Sequence, residues 1–197
     1  MQHRTAALQR EGALTTVGLV VGATALIAIC AQISFGYPVP TTLQTFAVLG
    51  TSAYLGARRA VAALLLYLSV GAIGVPVFAN WSGGISELTS IDPVHASSGY
   101  LWGFLLAALV VGSITDRFGH SFYITVPAML LGSVALYAVG LIWLHQAIPV
   151  AWTGSSPDTT LHYGLWPFVL GDMAKIFAAA AAVDPRAPWG RLLDRLR

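Results

Sequence analysis

Few residues in this chain could do chemistry inside an apolar environment, and two of them stand one helical turn apart. Asp172 and Lys175 lie in the run Leu165-Trp-Pro-Phe-Val-Leu-Gly-Asp-Met-Ala-Lys-Ile-Phe-Ala-Ala-Ala-Ala-Ala-Val183, and Lys175 is the one lysine of the protein. In a helix that crosses a bilayer, each such group costs roughly 2.5–3.5 kcal/mol on insertion scales. A spacing of three places both on one helix face, close enough to pair. The pair either staples helices together or receives a ligand. Replacing a buried ion pair by apolar residues is often neutral or stabilising, so its presence argues for ligand work.

The elements that must position this pair are membrane helices. The chain has 197 residues, 56% of them hydrophobic and only 9% charged. A soluble domain carries about 25% charged residues, so this composition could not cover a water-facing surface. We expect an all-α integral membrane protein, a single domain over residues 1–197, with no nucleic-acid partner and lipid as its surroundings. Cys30 has no second cysteine to bond with and reads as a buried thiol.

Six apolar stretches can be drawn, roughly 13–34, 42–56, 59–75, 98–115, 121–145 and 165–183. The first is long enough to span and lacks a small-x-small cleavage site, so it reads as a retained helix rather than a signal peptide. The second and third are short. Fifteen helical residues reach only about 22 Å against a hydrocarbon core of about 30 Å, which suggests a compact hairpin turning at Gly56-Ala-Arg-Arg59. The expected architecture is a compact bundle of six transmembrane helices. In it, all nine arginines fall on one side: Arg4, Arg10, Arg58, Arg59, Arg117, Arg186, Arg191, Arg195 and Arg197. The opposite segments 34–41, 76–97 and 146–164 contain no Lys or Arg. The positive-inside rule then puts both termini in the cytoplasm, with 184–197 as a basic cytoplasmic tail.

The polar chemistry gathers on the other side. One outer segment is Gln32-Ile-Ser-Phe-Gly-Tyr-Pro-Val-Pro-Thr-Thr42-Leu-Gln44-Thr. Its prolines stop the first helix and favour extended backbone, leaving Thr42 and Gln44 at the mouth of the second. The next outer segment, Gly74-Val-Pro-Val-Phe78-Ala-Asn80-Trp81-Ser-Gly-Gly84, mixes aromatic faces, an amide and glycines, which suits a loop folding over a small ligand. Trp81 taken alone also suits an interfacial aromatic belt. The last helix enters from this same side, so Asp172 and Lys175 sit in its outer half, beneath these loops. The simplest synthesis is an outward-facing cavity floored by a carboxylate and an ammonium.

Several chemistries are excluded or disfavoured. A G-x-x-x-x-G-K-[ST] phosphate loop is impossible, because the single lysine follows an alanine. His3, His95, His120, His145 and His162 show no metal-ligand spacing. No G-x-S-x-G elbow is present. The turn Asp116-Arg117-Phe-Gly119 resembles a loop of much longer facilitator carriers, but turn chemistry and cytoplasmic charge explain it equally.

Taken together, these elements resemble BioY, the biotin-specific substrate-capture component of energy-coupling factor transporters. The resemblance rests on Ala31-Gln-Ile-Ser34, Pro38-Val-Pro-Thr-Thr-Leu-Gln44-Thr-Phe-Ala-Val48, Tyr67-Leu-Ser-Val-Gly-Ala-Ile-Gly-Val-Pro-Val-Phe78-Ala, Ser82-Gly-Gly84, Gly99-Tyr100-Leu-Trp-Gly-Phe104 and Pro167-Phe-Val-Leu-Gly-Asp172-Met-Ala-Lys175. One departure is Asp92-Pro-Val-His-Ala-Ser-Ser-Gly-Tyr100, where the family usually reads near Gly-Pro-Thr-Gly-Gly-Tyr. The resemblance implies a biotin-binding subunit of the prokaryotic cytoplasmic membrane that is not an enzyme and carries no cofactor. ATP would be hydrolysed by partner ATPases acting through a transmembrane coupling subunit. It further implies that Asp172 accepts from the ureido N–H groups while Lys175 and Asn80 donate to the ureido carbonyl. Phe78, Trp81 and Tyr100 would wall the bicyclic ring, and Thr42 and Gln44 would close the mouth or meet the valerate tail. Gly18-x-x-x-Gly22 and Thr24-x-x-x-Ala28 look like the family's small-residue docking surface, with intramolecular packing the alternative. Two other functions compete: a stand-alone proton-coupled transporter of a small organic anion, and a membrane-embedded enzyme with Asp172 as base.

Overall fold

The chain's apolar runs become helices because only internally hydrogen-bonded backbone can cross hydrocarbon. The computed structural model describes residues 2–154 and 157–186, with side chains from residue 12 onward. Its long helices are α1 (Gln2–Gln32), α2 (Gln44–Ala72), α4 (Ser98–Phe118), α5 (Phe122–Ala147) and α7 (Trp166–Val183). Between them lie β1 (Ser34–Phe35), β2 (Thr41–Thr42), α3 (Ser86–Thr89) and α6 (Thr160–Gly164), with 3-10 turns at Ala79–Trp81 and Pro93–His95. The two strands form a small antiparallel ribbon, Ser34 opposite Thr42 and Phe35 opposite Thr41.

Among the described residues, five helical stretches are long and apolar enough to cross a membrane, and one of them, α2, is folded into two arms. Gly56 sits at φ 77°, ψ 170° and breaks the helix there. The fold-back is proved by a side-chain bond: Gln44 Nε2 donates to Tyr67 Oη at 3.0 Å. In a straight helix those residues would stand about 34 Å apart. Counting both arms gives the six helical segments of the bundle. Glycine is required at 56, because its φ disfavours any Cβ and the Asp116 carboxylate occupies the space a Cβ would fill. That carboxylate accepts from the Ala57 N–H at 3.0 Å and so caps the second arm.

The core lies where α2, α4 and α5 meet. Val48, Leu49, Ala53, Ala107, Ala108, Val111, Ala128 and Met129 are all fully buried there. Their mix of small and branched side chains lets helix backbones approach closely, which supplies the van der Waals contact that holds helices together in lipid. α1 lies at the edge. It buries Ala23, Ile27, Cys30 and Ala31 and donates from Thr24 Oγ1 to Ala63 O at 2.9 Å, while Leu14, Val17, Val21 and Ile29 remain exposed. In a bilayer those residues meet lipid.

The two ends of the bundle differ in kind. At one end the α2 fold, the α4–α5 turn and the end of α7 are tied together. Asp116 holds Ala57, His120 Nδ1 donates to Ala53 O at 2.7 Å, and Phe122 N–H donates to Asp184 Oδ2 at 2.9 Å. Arg58, Arg59, Arg117 and Arg186 belong to this end. The opposite end carries the β-ribbon, the 73–97 segment and the start of α7. The expected basic tail lies, from residue 187, outside the described residues.

Candidate functional site

The Asp172–Lys175 spacing delivers what a helix requires: Lys175 Nζ donates to Asp172 Oδ1 at 2.8 Å. Asp172 is 3% exposed, so its charge is compensated by partners rather than by water. A second donor reaches it from α5, where Tyr137 Oη approaches Asp172 Oδ2 at 2.6 Å. Each carboxylate oxygen thus has one fixed donor. An ionised carboxylate offers about four acceptor positions, so roughly half of its capacity remains. Lys175 uses one of three N–H donors here.

These groups form the floor of a cavity of about 290 Å³ at the end of the bundle away from the arginines. That is near the lower end of the ~300–1,000 Å³ range of small-molecule sites. Phe104, Leu136 and Phe168 supply apolar wall. Tyr100 adds a ring face, T-shaped to Tyr137 at 6.2 Å between centroids. Its hydroxyl is committed elsewhere, donating to Gly164 O at 2.8 Å. Gln44 opens α2 at the cavity wall, 3% exposed, with its amide nitrogen on Tyr67 Oη and Tyr67 Oη in turn donating to Val77 O at 3.1 Å. Thr42 lines the mouth, and its hydroxyl accepts from Gln44 N–H at 3.2 Å.

The 73–84 segment closes over this space, and Gln32 at the end of α1 makes three of the hydrogen bonds that hold it. Gln32 Nε2 donates to Val77 O and Phe78 O, both at 3.1 Å, and Gln32 Oε1 accepts from Trp81 N–H at 3.0 Å. Phe78 is thereby swung inward, 2% exposed, edge-on to Tyr67 at 5.3 Å. Its ring lies against Gly71, where any side chain would collide with it. Asn80 lines the cavity, and its Oδ1 accepts from Ser34 Oγ at 2.8 Å.

Seven of the eight expected site residues therefore share one cavity: Asp172, Lys175, Asn80, Gln44, Thr42, Phe78 and Tyr100. Trp81 does not line it. Asn80 and Trp81 both adopt positive φ, 59° and 58°, and the Trp81 ring is 70% exposed. This placement matches the interfacial-belt reading of that residue. Sequence reasoning missed Tyr137, Tyr67 and Gln32. Tyr137 did carry a signal, since it stands about 15 Å inside the outer end of α5, deeper than an interfacial tyrosine sits, and a buried hydroxyl needs a partner. No group of three or more His, Cys, Asp or Glu side chains able to hold a metal occurs among the described residues. His95 is instead held by Asp92, at 2.9 and 3.0 Å from its two oxygens. That hydrogen bond, aided by the Val94 and His95 backbone N–H groups, keeps the Asp92 carboxyl below the usual carboxylate range.

Comparison with known proteins bears on this geometry. The BioY family model matches residues 2–190. The chain belongs to the BioY family. Among curated BioY relatives, the biotin transporter BioY of Thermotoga maritima is 35% identical over 158 residues, covering 80% of this chain and 86% of that protein. The probable biotin transporter BioY of Methanothermobacter thermautotrophicus is 37% identical over 140 residues, covering 66% and 84%. A crystal structure of the S-component for biotin from an ECF-type ABC transporter matches with a TM-score of 0.74 at 24% identity, covering 88% of this chain and 90% of that one. The BioY fold is thus shared along nearly the whole chain. As a BioY protein, the chain is a multi-pass membrane transport protein and not an enzyme.

Proposed function

We propose that this chain captures biotin in the cavity floored by Asp172 and takes it up across the cell membrane as the substrate-binding subunit of an energy-coupling factor transporter. The observation that carries the reading is the half-used Asp172–Lys175–Tyr137 cluster. A ureido ring presents two N–H donors and one carbonyl acceptor. Asp172 has acceptor positions left for the N–H groups, and Lys175 has donors left for the carbonyl. Neither existing bond has to break for the ring to bind. Pairing and ligand binding, alternatives at the level of sequence, are compatible in one geometry. Asn80 adds an amide donor at the carbonyl, and Phe78, Tyr100, Phe104 and Phe168 enclose the thioether ring. Thr42 and Gln44 stand at the valerate side.

The arginine-rich end faces the cytoplasm in this reading, so the cavity opens outward and capture precedes transport. With no phosphate loop in the sequence, energy comes from partner ATPases through a transmembrane coupling subunit, and the chain itself needs no cofactor. Gly18 and Gly22 support a docking role for α1. Both are exposed, and a Cβ on either would meet nothing within 4 Å, so intramolecular packing does not account for them. Thr24 differs, being bonded to Ala63 within the chain.

Titration of the detergent-purified chain with biotin, read by tryptophan fluorescence or heat, tests the reading. Saturable one-to-one binding at sub-micromolar concentration is expected, and uptake in cells should require co-expressed coupling and ATPase subunits. Absence of binding by a folded chain overturns it.

A further inference from the structure

The floor of the cavity is rich in matched donors and acceptors, but its mouth is not equipped for an anion. Among the described lining residues the acidic and basic side chains are Asp172, Lys175 and Glu87. Asp172 and Lys175 compensate one another at 2.8 Å on the floor. Glu87, half-buried on α3, also lines the cavity and leaves it with one net negative charge. No basic side chain besides Lys175 lines the cavity among the described residues. The outer segments 34–41, 76–97 and 146–164 contain no Lys or Arg. His95 follows the cavity-lining Val94, yet its ring is held by Asp92.

What the mouth does offer is hydroxyls: Thr42, Ser82 and Ser97. A hydroxyl donates to a carbonyl oxygen and accepts from an amide N–H, so it suits an amide at least as well as a carboxylate. The mouth is also open, flanked by Tyr37 and Val94, which are 78% and 77% exposed. A longer tail can therefore extend into water without displacing a wall.

Building on the biotin reading above, we infer that the site recognises the bicyclic ring and offers the carboxyl end no cationic partner. Biotin derivatives amidated at the valerate, such as biotin joined to an amine of lysine, are then ligands alongside the free acid. Glu87 is the residue that sets this preference, by repelling a carboxylate and attracting an amine.

The test is a three-ligand titration of the full-length chain in low salt: biotin, its neutral primary amide, and an amide ending in a free amine. The neutral amide should bind about fourfold tighter than biotin, because it escapes the repulsion from Glu87, and the amine-ended amide about fourfold tighter than the neutral one, as expected for one screened charge pair at about 7 Å. Glu87→Gln should tighten biotin by about fourfold and erase the amine advantage, while leaving the neutral amide unchanged. A neutral amide that binds about tenfold or more weakly than biotin, or a Glu87→Gln chain with all three affinities unaltered, overturns the inference. If biotin binds and the amides do not, this inference alone falls. If none of the three binds, the biotin reading falls with it.

Discussion

Tyr137→Phe removes a single oxygen from the floor of the cavity and isolates what that oxygen does. The ring should stay in place, since its T-shaped contact with Tyr100 at 6.2 Å does not involve the hydroxyl. What is lost is a 2.6 Å bond to a carboxylate that is only 3% exposed. Hydrogen bonds to charged groups are worth about 1.5–3 kcal/mol, and leaving the buried acceptor unpaired costs on that scale too. Lys175 keeps its hold on the other carboxylate oxygen, so we take the lower end, about 1.5 kcal/mol. If Tyr137 orients Asp172 for the ureido N–H groups, that loss appears in binding as about a tenfold higher Kd. The assay is calorimetric titration with biotin beside a thermal unfolding curve for each chain. A Kd within about twofold of wild type, from a chain whose unfolding curve shows the lost bond, would refute the positioning argument. Asp172 would then be held well enough by Lys175 alone.

Three further outcomes follow from the same structure. Gln32→Ala removes three hydrogen bonds that hold the 73–84 segment; stopped-flow displacement should show biotin leaving about tenfold or more faster, the equivalent of one or two neutral hydrogen bonds. Gly56→Val places a β-branched side chain at φ 77° and against the Asp116 carboxylate; a loss of about 3 kcal/mol or more is expected from strain and overlap together, read as a collapse of thermal stability, whereas Gly74→Ala, at φ 99° but with nothing within 4 Å of the added Cβ, should cost only the backbone strain, about 1–2 kcal/mol. Asp184 accepts from the Arg186 and Phe122 backbone N–H groups, and these bonds hold its carboxyl below the usual carboxylate range. A lowered folded-state pKa contributes stability that is present above the unfolded value, about 3.9, and is lost as pH falls through the folded value. Asp184→Asn should therefore flatten part of the acid limb below about pH 4 in a plot of unfolding temperature against pH.

Legibility in the sequence followed how local each cause was. The fold in α2 was readable because two apolar runs too short to span met at a glycine followed by two arginines, and Gly56 is where the chain turns. The Asp172–Lys175 contact was readable because helix periodicity alone brings positions three apart together. Tyr137 was not, since its partner lies 35 residues away on another helix. Nothing local in the sequence reveals the role of Gln32, and only the three-dimensional path of the 73–84 segment turns it into a clamp. Trp81 was drawn toward the ligand by its type. The left-handed backbone at Asn80 and Trp81, with no glycine at either position to announce it, turns the ring outward. Tyr100 shows a subtler limit: its ring borders the cavity, but its hydroxyl serves Gly164.

The central claim is that a single buried carboxylate, held by Lys175 and Tyr137, selects the ureido ring. Biotin titration of Asp172→Asn tests it most directly. The substitution keeps the side chain's shape but replaces one acceptor oxygen by a donor that faces the ligand's own donors. The account predicts a chain that still unfolds cooperatively, at a lower temperature because Lys175 loses its counter-charge, yet binds biotin at least about a hundredfold more weakly, the cost of one charge-assisted hydrogen bond with its mismatch. A folded Asp172→Asn chain that binds biotin as tightly as wild type would contradict it.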